Sequence, residues 1–141
     1  MWHSQFDRRL AAWNDLRNQT ADQDLPILLQ NINSWWQQTP WCPYHLHWDD
    51  RSAWPDPWQL LSDNVYCELA RALGIMYTVI LIDRHDLYDS SIIQTNSGSL
   101  VQINHGKYIL NWGQEVVLNT CLEQQHITNV IGYQDIRSQL L

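Results

Sequence analysis

The run from Trp54 to Asp83, WPDPWQLLSDNVYCELARALGIMYTVILID, constrains this chain more than any other stretch. Pro55 and Pro57 bar a helix before Trp58 and hold Trp54 and Asp56 extended. From Trp58 onward, Trp58, Leu61, Val65, Leu69 and Leu73 fall on one helical stripe, widened by Tyr66 and Ala70. Gly74 stands where a helix stop is expected, because a left-handed conformation costs glycine no Cβ clash. Ile75 to Ile82 is almost continuously apolar and rich in β-branched or aromatic side chains, which predicts a strand covered on both faces. The expectation is one helix, a glycine stop and one buried strand, ended by the polar run Asp83 to Asp86.

The flanking segments suggest what packs on this unit. Phe6, Leu10, Trp13 and Leu16 recur at helical spacing, with Ser4 as a candidate cap and Arg8, Arg9, Asn14 and Arg17 facing outward. A second helix is expected after Asp24, with Pro26 tolerated in its first turn and a stripe of Leu25, Leu28, Leu29, Ile32, Trp35 and Trp36. Beyond the central strand, Ser91–Thr95 reads as a short strand and Asn96–Ser99 as a turn. Leu100–Ile103 and Tyr108–Trp112 read as a hairpin with His105 and Gly106 at its tip, and Glu115–Leu118 as a further strand. The last stretch is weakly patterned; Tyr133–Leu141 reads as a short helix or as an arm that orders on a neighbour. At 141 residues the chain is one domain, divided into a helical hairpin with a Trp-rich loop (1–57), a helix-plus-sheet core (58–119) and a C-terminal tail (120–141).

The words Leu69-Ala-Arg-Ala-Leu-Gly-Ile75, with the apolar run after them, resemble the central unit of the transglutaminase-like (papain-related) fold, over residues 54–119. The resemblance implies an α+β protein, N-terminal helices and a central helix packed on a small, mainly antiparallel sheet. It also implies a nucleophilic Cys opening the central helix about four turns before the glycine, a His opening the next core strand, and an Asp on the strand after. Counting back from Gly74 lands near Trp58 and Gln59, and leaves Cys67 in mid-helix. The His position falls at Ser99-Leu100 and the Asp position at Asn111. All three catalytic positions are therefore expected to be substituted, with no catalytic residue retained. A displaced register instead makes Cys67 with His85 or His105 the candidate dyad of a cysteine-dependent amidase, peptidase or transglutaminase.

The loop from Thr39 to Pro57 is dense in Trp, Pro, His and Asp. Cys42, His45 and His47 are candidate zinc ligands, although the paired spacing of an ordinary zinc site is missing. Trp41, Tyr44, Trp48 and Trp54 suggest a platform on which sugar rings stack, hence a cell-wall glycan-binding module. The plainer expectation is a satellite core with indole N–H groups bonded to backbone carbonyls.

A formal net charge of −7 argues against binding driven by nucleic-acid phosphates. Three scattered Cys make no disulfide framework, and the N-terminus does not read as a signal peptide. No run is long enough for a membrane span, and no cofactor or small-molecule fingerprint is present. Nine Trp in so short a chain point to large buried contacts or to interfaces. In size and in its WDD…WPDPW texture the chain resembles small proteins of tailed phages, including those infecting cyanobacteria. That implies a non-catalytic structural or assembly protein of a neck, tail or baseplate, found in the virion or in host cytoplasm during assembly. Its partners are other protein subunits, met through Trp35, Trp36, Trp41, Tyr44, Trp48, Trp54, Trp58, Tyr133, Leu140 and Leu141.

Overall fold

The computed structural model describes residues 2–43 and 45–140; Tyr44 and Leu141, two of the expected contact residues, lie outside them. Two helices open the chain, α1 (Phe6–Thr20) and α2 (Leu25–Gln37). Their buried faces carry Trp13 and Leu16 on α1, and Leu28, Leu29, Ile32 and Trp36 on α2. Gln5, not Ser4, precedes the first helix. Arg9, expected outward, is only 4% exposed. Its Nε donates to the Leu61 carbonyl and its NH1 to that of His3, so the buried guanidinium is bonded.

The central unit departs from expectation. In place of a helix and a strand there are two helices, α3 (Pro57–Asp63) and α4 (Glu68–Ile82). α3 is capped at its start by Asp56, whose carboxylate accepts the Gln59 amide N–H, and is stopped by Asn64 at φ 56°. α4 runs through Gly74 and takes in the whole apolar run to Ile82; it ends at Asp83, also left-handed. An apolar run reads alike as a buried strand and as an enclosed helix, because neither needs a polar face. Here α4 is wrapped by α1, α2 and α3 and by the sheet, and its residues from Ala72 to Ile80 are all buried. Gly74 answers a close approach, not a stop: a Cβ there would lie 2.5 Å from Cζ3 of Trp36. One turn on, Thr78 Oγ1 donates to the Gly74 carbonyl and accepts the indole N–H of both Trp13 and Trp36, each at 2.9 Å.

Five strands follow: β1 (Ser90–Thr95), β2 (Gly98–Ile103), β3 (Tyr108–Leu110), β4 (Val117–Leu118) and β5 (Asn129–Gly132). The sheet is antiparallel throughout, in the order β4-β3-β2-β1-β5. Alternation divides its side chains: Ile92, Val101, Ile103, Leu110 and Ile131 join the main core, while Ile93, Leu100 and Ile109 meet Val117, Cys121 and Leu122 on the other face. The hairpin tip falls at Asn104, His105 and Gly106, all with positive φ. The final segment is not a free arm. β5 pairs with β1, placing Ile131 opposite Ile92, and a last helix, α5 (Tyr133–Ser138), packs on α4. Tyr133 is 3% exposed and the partly buried Leu140 packs against the core, so both take part in the fold.

The architecture is the expected α+β arrangement of N-terminal helices and a central helix on a small antiparallel sheet. Among the described residues, no helix is long and apolar enough to cross a membrane.

Candidate functional site

Cys67 is not in mid-helix. Asn64 ends α3, Val65 and Tyr66 lead away from it, and Cys67 is the extended residue from which α4 starts. It therefore stands at the end of a 15-residue helix where the peptide dipoles carry partial positive charge. Cys67 is 3% exposed, and its Sγ accepts the backbone N–H of Leu46 at 3.5 Å. The signal was present in the sequence: Asn is tolerated in the left-handed region after a helix, and Glu68 suits the first turn of a new one.

Ser99 and Asn111 come to the same place from the sheet. Ser99 lies one residue into β2, and its Oγ accepts the indole N–H of Trp48 at 2.9 Å. Asn111 follows β3 in a left-handed conformation, and its Nδ2 donates to the carbonyls of Ser99 (2.8 Å) and Glu68 (3.0 Å). Its Oδ1 accepts from Gln37 at 2.8 Å, and its backbone N–H donates to Asn33. Asn111 thus ties β2 to the first residue of α4, with its amide fully engaged.

Neither fallback histidine is near. His85 lies beyond the far end of α4, a helix length of roughly 22 Å from Cys67, with its ring 5.2 Å from that of Tyr88. His105 pairs with Asp89 at the hairpin tip, past the Ile103 end of β2, which is roughly 13 Å of strand from Ser99. The histidine that does share the Cys67 cleft is His47, which sequence spacing ascribed to zinc. The cleft has a volume of about 270 Å³, and Cys67, Glu68, Gly98, Ser99, His47 and Trp48 are among the residues that line it.

The loop carrying His47 is clasped to the body. Trp54 Nε1 donates to the His47 carbonyl, and Tyr77 of α4 donates its hydroxyl to that of Pro55. Trp48 and Trp54 meet edge to face, with centroids 5.7 Å apart and planes at 85°, and Arg51 lies over Trp54. Perpendicular, tethered rings make no flat row for stacking sugars. Among the described residues no group of three or more His, Cys, Asp or Glu is placed to hold a metal. The zinc candidate is corrected accordingly: the Cys42 N–H bonds the Tyr66 carbonyl, and His45 lines a neighbouring cavity, apart from the one His47 lines.

Of the other expected contact residues, Trp36 is 1% exposed and belongs to the core, and Trp35 is half-buried against it. Trp41 and Trp58 are 55% and 48% exposed, and Trp112, not singled out from sequence, is 40% exposed. Near the site, burial holds the Arg71 guanidinium below its ordinary range, partly offset by Glu68 and Cys67. That group donates to Oγ1 and the carbonyl oxygen of Thr39. Burial likewise raises the phenols of Tyr66 and Tyr77 above their ordinary range.

No protein-family model matches the sequence, and no curated protein matches it. Solved structures do. The chain is similar to LapG of Legionella pneumophila, with a TM-score of 0.75 and 13% identity over 93% of this chain and 78% of that one. Calcium-bound LapG matches with the same TM-score and coverage at 12% identity. EGTA-treated LapG matches at 13% identity over 93% and 76% of the two chains. LapG has the transglutaminase-like fold, and this chain has that fold too. At such identity the likeness carries the fold and leaves the chemistry to the residues themselves.

Proposed function

We propose that this transglutaminase-like scaffold no longer runs the Cys-His-Asp chemistry of its fold and serves as a non-catalytic, protein-contacting component of a larger assembly. Ser99 is the observation that supports this most. It stands at the head of the strand from which the family's histidine would reach Cys67, and its hydroxyl is already bonded by Trp48. A serine hydroxyl is no general base near neutral pH, so Ser99 cannot do for a thiol what a histidine at its position would. The third position agrees: Asn111 gives both amide hydrogens to backbone carbonyls and carries no charge to hold an imidazolium. Exposed Trp41, Trp58 and Trp112 supply aromatic surface of the kind that anchors protein contacts.

The setting we propose is a tailed-phage particle, as a neck, tail or baseplate subunit. Quantitative mass spectrometry of purified particles should then find the chain at a fixed ratio to the structural proteins, with cross-links leaving the surface around Trp41 and Trp58. Non-catalysis is tested with a panel of amide, peptide and amine-acceptor substrates. The expected result is equal background for the native protein and Cys67→Ala; turnover lost in that variant would overturn the proposal.

One observation favours a second function, a cysteine-dependent amidase or peptidase: Cys67 opens α4 in the same cleft as His47. A base carried by the loop would then replace the one missing from β2. Its signature is alkylation of Cys67 in the folded protein that follows a pH profile and slows in His47→Ala.

A further inference from the structure

Two cysteines, Cys42 and Cys67, meet where the Trp-rich loop touches the start of α4. Trp41 and Tyr66 form an isolated parallel bridge, and the Cys42 N–H donates to the Tyr66 carbonyl at 2.9 Å. Cys42 follows one bridge residue and Cys67 the other, so they are the next pair in that register. Parallel backbones lie about 4.8 Å apart, and side chains at matched positions stand on the same face. A disulfide needs Cα atoms about 4.4–6.8 Å apart. Cys67 is still extended, as a residue in such a register must be, and only Glu68 turns into α4.

The sulfur of Cys67 is also turned toward this loop. Its Sγ accepts the N–H of Leu46 at 3.5 Å. The loop thus leaves the bridge at Cys42 and returns over Cys67, and Pro43 and Leu46 line the cleft beside it. Cys42 is half-buried and Cys67 is buried, and both are thiols in this structure. Cys121 is elsewhere: it packs with Ile93, Leu100 and Ile109 on the face of the sheet away from the main core.

We infer that Cys42 and Cys67 close into a reversible disulfide when the chain meets an oxidising disulfide such as oxidised glutathione. The more exposed Cys42 reacts first. Its thiolate attacks one sulfur of the oxidant, releases one glutathione thiolate and becomes a mixed disulfide. The Cys67 thiolate then attacks the Cys42 sulfur and expels the second glutathione. Two protein thiols have given up two electrons and two protons, and one oxidised glutathione has become two reduced ones. The bond ties the loop to the start of α4 beside the exposed Trp41 and takes the thiol out of the cleft. It goes beyond both readings of the cleft. In the first it braces the contact surface at Trp41; in the second it switches the nucleophile off.

The test incubates the folded full chain with oxidised glutathione near neutral pH, quenches in acid and reads the intact mass. The expected product has lost two hydrogens, regains them with dithiothreitol, and gives a peptide map that joins the Cys42 segment to the Cys67 segment. Cys121→Ser should form the same product. Cys42→Ser, a change at a half-buried position, should lose it entirely. Circular dichroism establishes that each variant is folded, and the map of the unaltered chain needs no variant. Glutathione that stays on Cys42 while Cys67 remains a thiol would overturn the inference. So would a link through Cys121, a link between two chains, or no reaction at all.

Discussion

Replacing Thr78 by Val should destabilise the protein by more than its small change in shape suggests. Thr78 is fully buried, and Val has nearly its volume, so no cavity opens. What disappears is the shared acceptor of two indole N–H groups, from Trp13 and Trp36. Each orphaned buried donor costs about 1–3 kcal/mol. The added methyl recovers roughly 0.8 kcal/mol of apolar burial. The bond to the Gly74 carbonyl adds little, since α4 continues there. The net loss is about 3 kcal/mol, near 10 °C in midpoint for a domain of this size. Thr78→Ser keeps the acceptor and gives up one methyl, so it should lose only about 1 kcal/mol. Urea unfolding followed by circular dichroism measures both variants, with the slope checked for constancy. If the Val variant is as stable as the Ser variant, the bonds to Thr78 contribute nothing net and the reasoning fails.

Three further outcomes follow from neighbouring geometry. Gly74→Ala, which helix propensity alone favours by about 1 kcal/mol, should instead lower the urea midpoint, because the new methyl meets the Trp36 ring at 2.5 Å. Asn111→Asp would restore the family's residue type without its chemistry: the carboxylate cannot donate to the Ser99 and Glu68 carbonyls, so a loss of about 1–3 kcal/mol is expected with no gain in amide turnover. Alkaline titration should unfold the protein, since burial raises the phenols of Tyr66 and Tyr77 above their unfolded value of 10.0. Their contribution is complete below that pH and falls as pH rises beyond it, because the unfolded chain then holds fewer protons than the native one. Unfolding free energy that stays flat through this range would count against the burial of those hydroxyls.

Local patterns carried much of the architecture. The α1 and α2 stripes, the hairpin at Asn104–Lys107 and the strand before Asn96 are short-range features, and each residue's neighbours in sequence are also its partners in structure. The placing of Ser99 at the head of β2 rested on the same kind of signal, whereas Asn111, expected within a strand running to Trp112, follows β3, which ends at Leu110. The central unit failed for an identifiable cause. Gly74 looks the same whether it ends a helix or lies beneath a Trp ring, and only the arrival of Trp36 from α2 distinguishes the two. That ambiguity made α4 seem to end early and turned its second half into a strand, while the break at Asn64, read through as continuous helix, left Cys67 in the middle.

Sequence by itself therefore determined the class of the protein: helices first, an antiparallel sheet after, an acidic domain with a core rich in Trp and Ile. Tertiary structure decided the cleft. Cys67, Ser99, Asn111 and His47 come from four separate segments, and contacts such as those of Trp48 with Ser99 and Gln37 with Asn111 join residues far apart in the chain. No periodicity encodes such meetings, because they depend on how α4, once fully wrapped, positions the loop and the sheet around its first turn.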